Sequence, residues 1–103
     1  MMTVHVTNDN FKSEVLESST PVLIDFYANW CMPCKMLSPV IEEIAHEVSN
    51  AKICKVNIDE EPELAQRFQV MSIPTLVVMN QGKVVNSVMG VRPKKEILNM
   101  LAV

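Results

Sequence analysis

The stretch Val22-Leu23-Ile24-Asp25-Phe26-Tyr27-Ala28-Asn29-Trp30-Cys31-Met32-Pro33-Cys34-Lys35 joins an almost unbroken apolar run to two cysteines separated by two residues. The run from Val22 to Tyr27 lacks the alternation of a half-exposed strand, so it suits a central strand covered on both faces. Asp25 is its only charge. Beyond it, from Cys34 to Val48, the residues Leu37, Val40, Ile41, Ile44, Ala45 and Val48 recur at helical spacing, with Glu42, Glu43 and Glu47 mostly on the other side. The cysteine pair therefore falls where a buried strand hands over to a long amphipathic helix. Pro39 lies inside the helical pattern and is expected to kink it, because proline removes one backbone donor.

Upstream, Val4 to Thr7 reads as a short strand ended by the cap-like run Thr7-Asn8-Asp9. A short helix follows, with Phe11 and Val15 four apart on one face. Downstream come a strand from Ala51 to Ile58 and a short helix from Pro62 to Phe68, proline being favourable at a helix start. Thr75 to Met79 and Lys83 to Met89 are apolar runs joined by Asn80-Gln81-Gly82, a hairpin signal. A last helix runs from Pro93 to Ala102, with Ile97, Leu98 and Leu101 facing inward. The order is β-α-β-α-β-α-β-β-α. Crossover helices make the early strands parallel and the short turn makes the last pair antiparallel. The expected class is α/β, a central mixed sheet flanked by helices on both faces. At 103 residues, with no repeat or linker, the whole chain 1–103 reads as a single domain.

Composition narrows the function. The formal charge is −3 and the nine Lys and Arg are scattered, which gives nucleic-acid binding little electrostatic support. No apolar run approaches the roughly 20 residues of a membrane span, and the first residues lack the pattern of a secretion signal. The expectation is a soluble monomer in a reducing cytoplasm. Three cysteines are too few for a disulfide framework.

The pair Cys31 and Cys34 is a different signal. A helix start leaves backbone N–H groups unpaired and carries partial positive charge, both of which favour a thiolate at Cys31. Cys34 lies about one turn further along on the same face, placed to attack a mixed disulfide formed at Cys31. Pro33 fixes the backbone between them. Closing so short a loop stabilises a chain by only roughly 2 kcal/mol, weak for a structural bridge and suitable for one that opens and closes. The competing reading is half of a zinc site. Zinc wants four ligands, and only Cys54, His5 and His46 remain, with no second paired motif. Redox chemistry is the better fit, with no metal. Cys54, inside a strand, is expected only to pack. His5 and His46 read as structural or surface residues, and the methionines other than Met32 as core filler.

The segment Asp25 to Lys35 resembles the active-site segment of the thioredoxin family. Lys55-Val56-Asn57-Ile58-Asp59, Ile73-Pro74-Thr75 and Gly90 resemble its other signature stretches, in order and at similar spacing, so the likeness covers essentially the whole chain. It implies the thioredoxin fold and a thiol–disulfide oxidoreductase that reduces protein disulfides. It implies no bound cofactor, the electrons coming from NADPH through a flavin-dependent thioredoxin reductase. Asp25 becomes the proton acceptor for Cys34, since burial in an apolar strand raises a carboxyl's pKa. Lys55 becomes its charged neighbour from the next strand. Against these stand a solvent-facing Asp25 at a sheet edge and a simply solvated Lys55. The resemblance also implies a cis bond before Pro74, facing the cysteines and presenting the backbone of Ser72 and Ile73 to an extended substrate segment. Trp30, Tyr27, Met32, Ile73 and Gly90 would rim an apolar docking surface, although Trp30 read alone could be a core aromatic.

The sequence also departs from the family. Met32 replaces the usual glycine between the first cysteine and the proline, and is expected to extend the docking rim without changing the reaction. Ser72 stands where glycine is frequent and Tyr27 where tryptophan is. With two glycines in all, the turns are expected to rely on Asn, Asp and Pro. Two other readings keep the fold: an oxidant or isomerase of an oxidising compartment, and a non-enzymatic protein-binding scaffold.

Overall fold

The computed structural model describes residues 2–102. Five strands form one sheet in the order β1-β3-β2-β4-β5, with β1 at Val4–His5, β2 at Val22–Tyr27, β3 at Lys52–Asn57, β4 at Thr75–Asn80 and β5 at Lys83–Met89. β3 runs parallel to both β1 and β2, while β4 is antiparallel to β2 and to β5. The helices are α1 at Met32–Glu47, α2 at Pro62–Arg67 and α3 at Lys94–Met100. The architecture is the expected mixed sheet, with β2 at its centre.

Because strand side chains alternate, each central strand serves two cores. Leu23, Ile53, Leu76 and Val78 pack with Leu37, Ile41 and Ile44 of α1 and Ile97 of α3. The intervening residues Val22, Ile24, Phe26, Cys54, Val56 and Val77 pack on the other face with Phe11, Val15 and Leu64. This two-sided burial explains the lack of hydropathy alternation in Val22–Tyr27. It also fixes the direction of every odd-numbered residue on β2 and β3. Asp25 and Lys55 are directly paired across the parallel ladder, on the face toward α1.

Several local expectations shift. β1 is two residues long because the Thr7 N–H turns to Asn10 Oδ1 at 2.7 Å and leaves the ladder. The first short helix, Lys12–Leu16, is a π-helical turn, with Glu17 N–H bonded to the Lys12 carbonyl at 2.9 Å. α1 begins two residues earlier than the apolar spacing implied, with Pro33 in its first turn, and it continues through Pro39. β5 is apolar in composition yet mostly exposed, since it is the sheet edge and nothing covers its outer face among the described residues. The hairpin loop is Gln81-Gly82, both at positive φ, as a two-residue turn between twisted strands requires. Among the described residues, the non-glycine ones with positive φ are Gln69 and Gln81, so glutamine takes the role expected of Asn and Asp.

Candidate active site

Cys31 is the N-cap of α1. Its backbone is extended, and its sulfur accepts the Cys34 backbone N–H at 3.2 Å, so a first-turn donor that has no carbonyl partner within the helix points at this atom. Cys34 sits one turn in, its Cα 5.3 Å from that of Cys31, and the two sulfurs are joined as a disulfide. Both cysteines are buried, against Ala28, Tyr27, Ile58 and Ile73. The amide and the positive end of a 16-residue helix both face the Cys31 sulfur, an arrangement of the kind that favours negative charge there.

Facing the pair is the turn that precedes β4. The Ile73–Pro74 peptide bond is cis, and the Ile73 carbonyl oxygen lies 3.8 Å from Cys31 Sγ. Thr75 Oγ1 donates to the Ser72 carbonyl at 2.6 Å, and Gly90 N–H donates to the Pro74 carbonyl at 2.8 Å, which ties the turn to both neighbouring strands. Gly90 itself has φ +89, a conformation that side chains resist. Ser72 is exposed, and its hydroxyl donates to Met89 Sδ at 3.2 Å.

Trp30 is 67% exposed, so it is no core residue; its indole N–H donates to Asp59 Oδ2 at 2.8 Å. Met32 is 64% exposed beside it. The expectation that the other methionines fill the core is wrong for most of them. Met2, Met36, Met71 and Met89 are exposed, Met79 and Met100 are buried, and Met1 lies outside the described residues. Met36 follows Met32 by one turn of α1, while Met71 and Met89 flank Ser72, one by sequence and one by contact. Exposed thioethers thus stand on the first turns of α1 and next to Ser72, and thioethers make soft, adaptable surfaces. Tyr27 is half-buried, packed against the cysteine cluster with the Lys55 ammonium 4.7 Å above its ring.

Behind Cys34 opens a cleft of about 250 Å³ lined by Tyr27, Ala28, Asn29, Cys34, Lys35, Ser38 and Lys55. Asp25 lies near it, 1% exposed, with Oδ1 buried and without a hydrogen-bond partner among the described residues. Burial pushes its carboxyl up to about 7, Lys55 opposing and Glu42 reinforcing the rise. The solvent-facing alternative for Asp25 is excluded. Lys55 reaches Ser38 Oγ at 3.3 Å and Glu42 Oε2 at 4.0 Å, so it is held in place by partners of its own. Cys54 is buried, and burial raises its thiol to about 12, which leaves it unreactive. Among the described residues, no group of three or more His, Cys, Asp or Glu could hold a metal ion. None of the described helices is long and apolar enough to cross a membrane.

Comparison with known proteins agrees with this geometry. The thioredoxin family model matches residues 2–103. "Thioredoxin 1" of Synechococcus elongatus is 50% identical over 97 residues, covering 93% of this chain and 91% of that protein. The thioredoxin of Mycobacterium bovis is 45% identical over 101 residues, with 97% and 87% covered. A bifunctional thioredoxin reductase/thioredoxin of Mycobacterium leprae is 44% identical over 102 residues, which are 98% of this chain and 22% of that protein. Among solved structures, a mutant thioredoxin from Halobacterium salinarum superposes with a TM-score of 0.89 at 32% identity, covering 97% of this chain and 88% of that one.

Proposed function

Because this chain belongs to the thioredoxin family and is a thiol–disulfide oxidoreductase that reduces protein disulfides, we propose a division of labour in which Cys31 attacks, Cys34 resolves and Asp25 takes the proton between them. The Cys31 thiolate attacks one sulfur of a substrate disulfide, forming a mixed disulfide and expelling the first substrate thiolate. Cys34 then gives its proton to the Asp25 carboxylate and attacks Cys31 Sγ. The Cys31–Cys34 bond forms, the second substrate thiolate leaves, and two electrons have passed to the substrate. The joined pair is the product of that cycle.

Substrate docking falls to the exposed Trp30 and Met32, to Ile73, Pro74 and Gly90, and to the backbone of Ser72 beside the sulfur. An extended chain laid along Ser72–Ile73 would bring its disulfide over Cys31. Pro33 supports this by fixing the first turn of the helix. The whole chain, residues 1–103, acts as one domain and as a monomer in a reducing cytoplasm. A flavin-dependent thioredoxin reductase recharges the disulfide from NADPH; the relative that carries reductase and thioredoxin in one chain supports that partnership. Nucleic acid and membrane have no part in the reading.

The observation that carries the proposal is the capped sulfur: Cys31 at the helix start, with the Cys34 amide on it and the second sulfur in bonding reach. A trapping experiment tests it. Cys34→Ser should accumulate covalent adducts with disulfide-bearing proteins, released by dithiothreitol, whereas a Cys31→Ser/Cys34→Ser double variant captures none. Adducts formed equally well by Cys31→Ser alone would reverse the two roles.

A further inference from the structure

The polar seam that continues from Cys34 along α1 has members that the exchange chemistry itself does not use. Cys34, Ser38 and Glu42 follow at four-residue intervals, so they stand one above another on successive turns. Lys55, across from them on β3, contacts the last two: Ser38 Oγ at 3.3 Å and Glu42 Oε2 at 4.0 Å. Glu42 is tied in turn by Thr3 Oγ1, which donates to Oε2 at 3.2 Å. On β2, Asp25 pairs in register with Lys55, and the Tyr27 ring lies under its ammonium. Leu76, the residue opposite Asp25 on β4, is apolar and offers no partner.

We propose that Ser38 and Glu42 are positioning residues that hold the Lys55 ammonium at the mouth of the cleft, and that they thereby set the pH range in which Cys34 can pass its proton to Asp25. The inference rests on the role given to Asp25 above and adds the groups that tune it. The charges facing Asp25 are Lys55 from β3 and Glu42 from α1, with Lys35 and Cys34 also lining the cleft and Tyr27 on the same strand. Lys55 favours the carboxylate, Glu42 favours the acid, and burial favours the acid most. Ser38 decides where Lys55 sits between them. Its hydroxyl is a neutral partner that lets the ammonium stay near Cys34 without drawing it outward, whereas Glu42 alone would draw it toward the far end of the seam.

The two substitutions therefore have opposite signs. Ser38→Ala leaves Lys55 to Glu42 and weakens its hold on Asp25, so the carboxyl should titrate higher. Glu42→Gln removes a repelling charge and frees Lys55 inward, so it should titrate lower. Ser38→Thr retains the hydroxyl and should behave as the parent. Alanine is a better helix former than serine, and Ser38 and Glu42 are not deeply buried, so the fold tolerates all three. The experiment follows the Asp25 carboxyl carbon by NMR through a pH titration of the reduced protein, alongside the rate of mixed-disulfide resolution. Shifts of about half a pH unit, upward for Ser38→Ala and downward for Glu42→Gln, with the resolution profile moving in step, support the proposal. An unmoved Asp25 titration, or shifts of the same sign, overturns the positioning roles. A titration that moves while the resolution profile stays fixed overturns instead the assignment of Asp25 as the acceptor.

Discussion

Cys31→Ser should abolish disulfide reduction, lowering insulin reduction with dithiothreitol as donor to the uncatalysed rate, a loss on the order of a thousandfold or more. A serine hydroxyl does not ionise at neutral pH and cannot carry a sulfur–sulfur exchange. Cys34 cannot substitute for it. It is as buried as Cys31 and lies one turn inside the helix, and the amide that favours a thiolate caps the Cys31 sulfur instead. The variant should nevertheless stay folded. Serine is among the best N-cap residues and can accept the same Cys34 amide, and the lost bridge contributes only roughly 2 kcal/mol. Assaying turnover and thermal melting together separates the two effects. Activity lost with the fold intact supports the assignment, while appreciable remaining turnover refutes it.

The second large effect concerns stability. In the unfolded chain Asp25 titrates near its ordinary value of 3.8, and in the fold near 7. Between those pH values the folded protein holds a proton that the unfolded chain has released. Stability therefore falls as pH rises through this window, the opposite of the usual carboxylate case. Each pH unit is worth about 1.4 kcal/mol, so the ionised carboxyl opposes folding by about 4 kcal/mol once the pH exceeds 7. Asp25→Asn has nearly the same shape and no charge to bury. Denaturant unfolding of the oxidised protein should find the variant more stable than the parent by a few kcal/mol at about pH 8, with the gap closing toward about pH 4. A gap that does not depend on pH would mean that Asp25 is not held protonated by the fold. A native protein that keeps such a residue sacrifices stability for a group that can exchange a proton near neutrality.

The parts legible in the sequence were those fixed by periodicity. An apolar strand with one charge, followed at once by helical spacing, could only place Cys31 at a helix start and Asp25 in the sheet. Two-residue alternation then turns Lys55 to the same side as Asp25, once the strands pair in parallel register. What remained hidden depends on tertiary position. Met71 and Met89 look like core residues in a string of letters, yet one closely follows the turn at Phe68-Gln69, where Gln69 has positive φ, and the other ends an edge strand. The Val84-Val85 pair reads as buried for the same reason and is exposed because β5 has no neighbour beyond it. Ser38 carried a signal that could have been used: it stands four residues after Cys34, on the turn above it. The Trp30–Asp59 bond had no local signal, since it joins two loops 29 residues apart.

The assignments converge on the state of one sulfur, and titration of the Cys31 thiol in the reduced protein, followed by thiolate absorbance with Cys34→Ser as control, reads that state directly. The helix start and the Cys34 amide predict ionisation at least one pH unit below the roughly 8.5 of an unperturbed cysteine. Ionisation at that ordinary value would contradict the account, because Cys31 would then be no better an attacking group than any exposed thiol.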